Sequence, residues 1–212
     1  MDVAIIGAGN VGKALAGSFK RAGHTVTIAA AHPEHAAEAA LAIGTRAAAT
    51  NAEAINGSDL VILAVPESSF EAIAGEIAEA AKGKVVVDVS NRPTPSPAGP
   101  PTSAAEELQA RLPNSKVVKA FNTLLASRQA SPEIGGLKAD GFVAADDETA
   151  KQTVLDAVES VGLRPVDAGS LAAARTLEGM AWLNISRNIA GGTWQDAWIL
   201  VGPEQSVETS SN

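Results

Sequence analysis

The apolar run Val3-Ala4-Ile5-Ile6 leads directly into Gly7-Ala8-Gly9-Asn10-Val11-Gly12, after which Val11, Leu15 and Phe19, with Ala22, recur at helical spacing. The run predicts a strand buried on both faces, the periodicity a helix, and Gly23 its left-handed cap. A second strand is expected over His24 to Ile28. Strand, helix and strand within thirty residues form a βαβ unit, which makes the two strands parallel and the crossover right-handed. The glycine spacing G-x-G-x-x-G lies between strand and helix, where it serves a phosphate: Gly7 allows the turn, Gly9 leaves room for a pyrophosphate, and Gly12 lets the helix lie close to the strands. Ala8, Asn10 and Val11 complete the loop, whose amides, with the helix dipole, would hold a dinucleotide.

The alternation continues. Helices are expected at Pro33 to Leu41, Asn51 to Ile55 and Ser69 to Ala81, and strands near Thr45 to Ala48, Leu60 to Val65 and Lys84 to Val89. Arg92 to Thr102 holds five prolines and reads as a loop. A helix over Ala104 to Arg111 leads to a strand at Lys116 to Phe121, expected to complete the sheet. Beyond Asn122 come a loop through Gly135-Gly136, a strand at Gly141 to Ala145, a helix at Glu148 to Val161 and a strand at Leu163 to Val166. The last helix opens at Gly169-Ser170, with Leu171, Ala174, Leu177, Ala181, Ile185 and Ile189 as its apolar stripe. The fold class is therefore α/β: a doubly wound, mostly parallel, Rossmann-like sheet with a smaller C-terminal α/β unit. The expected division is a dinucleotide-binding domain at 1–124, a small domain at 125–202, and a flexible tail from Pro203 to Asn212.

Composition narrows the function. Sixteen Lys and Arg against 24 Asp and Glu give a net charge of −8, which repels nucleic acid and anionic membranes. No apolar run approaches a bilayer-spanning length and the start has no basic leader, so a cytoplasmic protein is expected. The absence of Cys excludes thiol catalysis and thiolate metal sites, and no metal site is expected. Redox chemistry must then come from a bound cofactor. Forty-three alanines against 4 Phe, 3 Trp and no Tyr favour close packing of helices on a sheet.

At the end of the second strand an acid selects NAD and a base NADP. Here Ala30-Ala31-His32 offers neither, with His32 and His35 as the groups able to meet a ribose phosphate, so NADP(H) is expected and NAD(H) stays open. Ligands of open α/β sheets lie beyond the carboxyl ends of the strands. That rule points to Val65 and Pro66 and to Ser90 and Asn91 for the nicotinamide half, and to Phe121, Asn122 and Thr123 for the ring-transfer site. No general acid stands at this rim, and no catalytic residue is named. Two conjugated rings exchanging hydride need only be stacked at the right distance, which favours a flavin-like acceptor. On the last helix Arg175, Glu178, Trp182 and Ser186 form a second face, available to close over a ring or, instead, for Arg175 to pair with Glu178 and Trp182 to meet another subunit. Trp182, Trp194 and Trp198, read as exposed, suggest a homodimer.

The opening Gly7 to Ala16, the stretch Val117-Val118-Lys119-Ala120-Phe121-Asn122-Thr123, and Gly162 to Leu171 with Ala174, Arg175 and Glu178 resemble the coenzyme F420-dependent NADP oxidoreductase family. The cytosolic domain of the six-transmembrane ferric reductases is similar too. The resemblance implies hydride transfer between NADP(H) and a deazaflavin (F420), or a flavin in the ferric reductases, with the rings stacked where the large and small units meet. Ala30-Ala31 departs from the Ser-Arg or similar basic pair of the family's NADP-binding members. Asn122 and Leu125 replace the His and Pro common in the archaeal enzymes. Two other functions fit the same glycine loop: NADPH-dependent reduction of a small imine or carbonyl, and a non-catalytic NADP(H)-sensing module.

Overall fold

The computed structural model describes residues 1–92 and 102–202. Most of the expected proline-rich loop and the expected tail from Pro203 lie outside the described residues.

Eight strands form one sheet: β1 (Asp2–Ile6), β2 (Thr25–Ala29), β3 (Arg46–Ala47), β4 (Leu60–Leu63), β5 (Val85–Asp88), β6 (Lys116–Ala120), β9 (Asp140–Ala145) and β10 (Arg164–Gly169). Two-residue strands β7 (Glu133–Ile134) and β8 (Leu137–Lys138) pair separately as a hairpin. The spatial order is β10-β9-β6-β5-β4-β1-β2-β3. All pairings in the large sheet are parallel except β6 with β9. The chain moves out from β1 to β3, returns to β4 on the other side of β1, and so opens a crevice between the carboxyl ends of β1 and β4.

Why the strands are apolar throughout follows from the two cores. Val3 and Ile5 of β1 face one layer, with Leu15 and Phe19 of α1 (Asn10–Arg21) and Ala36 and Ala40 of α2 (Pro33–Ile43). Ala4 and Ile6 face the other, with Ile55 of α3 (Asn51–Ile55), Phe70 and Ile77 of α4 (Phe70–Ile77) and Leu108 of α5 (Ala104–Arg111). Alternation along a strand buries both faces, and alanine on the helices keeps the layers close.

β6 does not complete the sheet. β9 joins it antiparallel, with Val118 opposite Ala145 and Ala120 opposite Val143, and β10 follows beyond α7 (Glu148–Ser160). Val154 and Val158 of α7 belong to the same core as Leu15 and Phe19. An apolar strand advertises two buried faces but not which edge will be covered, so hydropathy alone stopped the sheet one strand pair early. The expected loop after Asn122 holds α6 (Ala126–Ala130) and the β7-β8 hairpin, elements too short to produce a periodic signal.

The final helix also differs. A short 3₁₀ turn at Leu171–Ala173 precedes α8 (Ala174–Ile189). Its buried residues are Ala174, Leu177 and Ala181, then Glu178, Asn184 and Asn188, while Ile189 is 68% exposed. Asn188 donates to the Asn184 carbonyl and accepts from the Trp194 amide, so buried amides tie the end of α8 to the segment after it. Trp194 is exposed, but Trp182 and Trp198 are half-buried, so the three do not make one exposed aromatic group. Among the described residues no helix is long and apolar enough to cross a membrane.

Candidate functional site

A cleft of about 580 Å³ opens at the carboxyl ends of β1, β2 and β4. Gly7, Ala8 and Gly9 form its floor, Ala30, Ala31 and His32 one wall, and Val65 and Pro66 the other. Its glycines carry different constraints. A Cβ on Gly12 would lie 1.9 Å from the Gly7 carbonyl oxygen, and one on Gly7, at φ +118°, would lie 2.3 Å from the Ala64 carbonyl oxygen. These two are required by packing of the chain against itself. A Cβ on Gly9 meets nothing within 4 Å, and its backbone is ordinary extended chain at φ −75°. Gly9 keeps open a space that no protein atom fills, and that space lies at the start of α1.

No side chain caps that helix start. The amides of Asn10, Val11 and Gly12 precede the first i to i−4 hydrogen bond, from Lys13 to Gly9, and are left to a ligand or to water. With the helix dipole behind them they form an anion site, and the adjoining open space has room for a diphosphate. Ala30 and Ala31 bring no acid to the end of β2, while Glu34 Oε1 lies 3.7 Å from His32 Nδ1, and His32 and His35 face each other edge-on, ring centres 5.3 Å apart.

Ser90, Asn91, Phe121, Asn122 and Thr123 gather beside the cleft, past the ends of β5 and β6. Asn91 and Asn122 clasp each other, the Asn91 amide donating to the Asn122 carbonyl at 3.1 Å and the Asn122 amide to Asn91 Oδ1 at 2.9 Å. Phe121 is buried at φ +61°, a conformation rare for a side chain of this size. It is braced by Gln129, which donates to its carbonyl at 2.7 Å, and by an edge-on contact with Phe19. Among the described residues, buried Ser90 Oγ, Asn122 Oδ1 and Thr123 Oγ1 find no hydrogen-bond partner. Three such atoms at one strand-end rim suit the carboxamide of a nicotinamide.

Beneath this rim lies an ion cluster that spacing along the chain does not reveal. Lys119 is wholly enclosed, its Nζ 2.8 Å from Asp88 Oδ2, 3.1 Å from Glu178 Oε1 and 2.6 Å from the Ser90 carbonyl oxygen. Glu178 also accepts from the Ala104 amide at 2.9 Å. Burial pushes its carboxyl above the usual range, against the pull of Lys119. Arg92 reaches the cluster's edge, pairing with Glu107 and lying 3.8 Å from Glu178, while Trp182 donates to the Arg92 carbonyl at 2.5 Å. The second face of α8 is therefore spent on α5 and the strand ends. Arg175 pairs with Glu106, not with Glu178, at 2.5 and 2.8 Å.

Glu106 supplies a pH dependence. The Arg175 guanidinium, opposed by burial and helped by the Ser103 amide and hydroxyl, lowers its carboxyl from 4.5 to about 2. A depressed carboxyl adds stability above its unfolded value and loses it as pH falls through the folded one. Denaturant midpoints should therefore drop between pH 4.5 and about 2. In Arg175→Met that acid-dependent loss should become smaller, because the guanidinium that depresses the Glu106 carboxyl is gone.

The chain is 34% identical over 211 residues to the F420-dependent NADP reductase of Methanothermobacter marburgensis, covering 89% of this chain and 93% of the relative. The chain belongs to the coenzyme F420-dependent NADP oxidoreductase family. The family model described as NADP oxidoreductase, coenzyme F420-dependent, matches residues 2–92, the span from β1 to Arg92. A solved structure described as a candidate F420-dependent NADP reductase of Arthrobacter sp. FB24 superposes with a TM-score of 0.82 at 28% identity, over 95% of this chain and all of that one. Metalloreductase STEAP3 of Rattus norvegicus is 30% identical over 177 residues, 83% of this chain. This chain spans only 35% of that protein's length.

As a member of this family the chain is an oxidoreductase of the NADP-dependent class. The structure brings Gly7, Ala8, Gly9, Ala30, Ala31, His32, Val65 and Pro66 to one cleft and sets Asn10, Val11 and Gly12 at the helix mouth above it. Ser90, Asn91, Phe121, Asn122 and Thr123 form a separate cluster at neighbouring strand ends. Sequence reasoning gave no role to three residues of the site. Lys119 sits inside β6, where a buried lysine between apolar neighbours flags a buried partner. Asn51 and Glu76, in α3 and α4, also line the cleft, and nothing in their local sequence signals it.

Proposed function

We propose that the chain binds NADP(H) across the Gly7–Gly12 turn and exchanges hydride with F420 or a flavin held against its C-terminal segment. The observation that carries this reading is Gly9: its missing side chain leaves empty space against uncapped amides, a feature the folded chain does not itself require. When bound, the nicotinamide supplies or accepts the hydride, and the deazaflavin or flavin ring is the other party. The protein's part is to hold and orient. Amides of Asn10, Val11 and Gly12 take the diphosphate, Ala31, His32 and His35 border the ribose phosphate, and Ser90, Asn91 and Asn122 fix the carboxamide.

The acceptor side is proposed at a second cavity of about 600 Å³, lined by Ile134, Leu183, Asn184, Arg187, Asp196 and Trp198. Asn184 lies 3.5 Å from the Thr123 carbonyl oxygen, which joins this cavity to the strand-end cluster. Apolar Ile134, Leu183 and Trp198 suit a ring, and exposed Arg187 suits the phosphate of a deazaflavin or flavin chain. The groups at the strand ends are amides and hydroxyls, and Lys119 is sealed from solvent, so ring-to-ring transfer needs nothing more from the protein than alignment.

The test is a matrix of NADPH and NADH against F420, FMN, FAD and a cyclic imine, followed by nicotinamide absorbance. Oxidation of NADPH by F420 or a flavin is expected, with the imine inert. Turnover of the imine with no flavin present would replace the reading by an imine reductase, and tight NADPH binding with no acceptor at all would make the chain a sensor. NADH oxidised as fast as NADPH would remove the preference for the phosphorylated cofactor. In His32→Ala that preference should weaken.

A further inference from the structure

The lining of the cofactor cleft includes a polar pair, Asn51 and Glu76, that the proposed diphosphate contacts do not use. Asn51 is 6% exposed and lines the cleft, and its Nδ2 donates to Glu76 Oε2 at 3.0 Å. That bond settles the orientation of the amide, because only the NH₂ side can face a carboxylate. Asn51 Oδ1 is left buried without a partner among the described residues. A buried carbonyl oxygen in this state is costly unless a ligand supplies a donor. Glu76, in the same lining, is a second acceptor. Two acceptors side by side ask for one group with two hydrogens.

The same lining holds apolar Ala30, Val65, Ala72 and Ile73, with Ser69 as one further hydroxyl. Apolar walls of this kind suit the faces of a flat ring. We propose that Asn51 and Glu76 read the amino group of a 6-aminopurine, each accepting one of its hydrogens, with the base between the apolar walls. This assignment rests on the reading that the cleft holds a nicotinamide dinucleotide. It makes the base, as well as the phosphates, a determinant of which nucleotide enters. A 6-oxo purine presents a lone-pair oxygen to both acceptors and is repelled.

Equilibrium binding of NADPH and of its hypoxanthine counterpart, in which oxygen replaces the 6-amino group, tests this on the full chain. Wild type should bind NADPH at least about tenfold tighter, or about 1.4 kcal/mol. Glu76 is exposed, so Glu76→Gln should fold normally. Its amide can donate to a 6-oxo group, so the ratio should fall toward one. Asn51→Ala should weaken NADPH more than the analogue, with thermal unfolding run alongside to confirm folding. Equal binding of both nucleotides by wild type, or an unchanged ratio in Glu76→Gln, would overturn the base-reading role and leave the cofactor assignment intact. If neither nucleotide binds wild type, the cofactor assignment itself fails and takes this role with it.

Discussion

Gly9→Val is expected to weaken NADPH binding by at least about a hundredfold, or about 2.8 kcal/mol, while the unliganded chain unfolds within about 1 kcal/mol of wild type. The separation arises because a Cβ at Gly9 meets no protein atom within 4 Å and the backbone there suits any residue. The branched side chain would occupy the space at the mouth of α1, keeping a diphosphate from the amides of Asn10, Val11 and Gly12. The paired control is Gly12→Ala, whose Cβ would press to 1.9 Å on the Gly7 carbonyl oxygen. That variant should lose stability by about 3 kcal/mol or fail to fold. Fluorescence titration with NADPH, together with thermal unfolding of the unliganded protein, separates the two. Wild-type affinity in Gly9→Val would mean that the nucleotide does not rest on this turn.

The second large effect is expected at Lys119. In Lys119→Met, Asp88 and Glu178 are left buried without their cation, and stability should fall by about 3–5 kcal/mol at neutral pH. Glu178 sets the sign of the pH dependence. Its folded carboxyl lies above the unfolded value, so its contribution is greatest below that unfolded value and declines as pH rises. Removing Lys119 raises that carboxyl further, so the deficit should narrow as pH is lowered toward 5 and widen toward 8. The double variant Lys119→Met/Glu178→Gln should regain part of the loss, because a neutral amide replaces one stranded charge. Urea denaturation of the three proteins across pH gives the comparison. A deficit that does not change with pH would show that the lysine acts through packing alone. Lys119 also holds the Ser90 carbonyl, so the variant should raise the KM for NADPH even where it remains folded.

Local pattern revealed the first half of the fold because each signal lay within one element. The run Val3 to Ile6, the spaced glycines and the Leu15 and Phe19 stripe sufficed to place β1, the turn and α1, and the five-residue helix at Asn51–Ile55 lies where spacing put it. Past Asn122 the strands β9 and β10 and the helices α7 and α8 still lie close to where the pattern put them, and what the pattern missed has physical reasons. α6, β7 and β8 span too few residues for a period, and the antiparallel docking of β9 on β6 depends on which edge is exposed after the earlier strands have paired. The face of α8 carrying Arg175 and Glu178 was legible as distinct, but i, i+3 spacing suggested a pair within the helix. In the fold α5 brings Glu106 to Arg175, and β6 brings Lys119 to Glu178.

The sequence by itself determined the parallel βαβ opening and a helix mouth suited to phosphate, since hydropathy period and glycine spacing act over a few residues and need no distant partner. Only tertiary structure decided that Lys119, Asp88 and Glu178 share one buried charge cluster, that Asn122 meets Asn91, and that Asn51 and Glu76 meet in the lining of the cleft. Those contacts join residues 25 or more positions apart. Their energies depend on burial, and burial exists only once the layers have closed on the sheet.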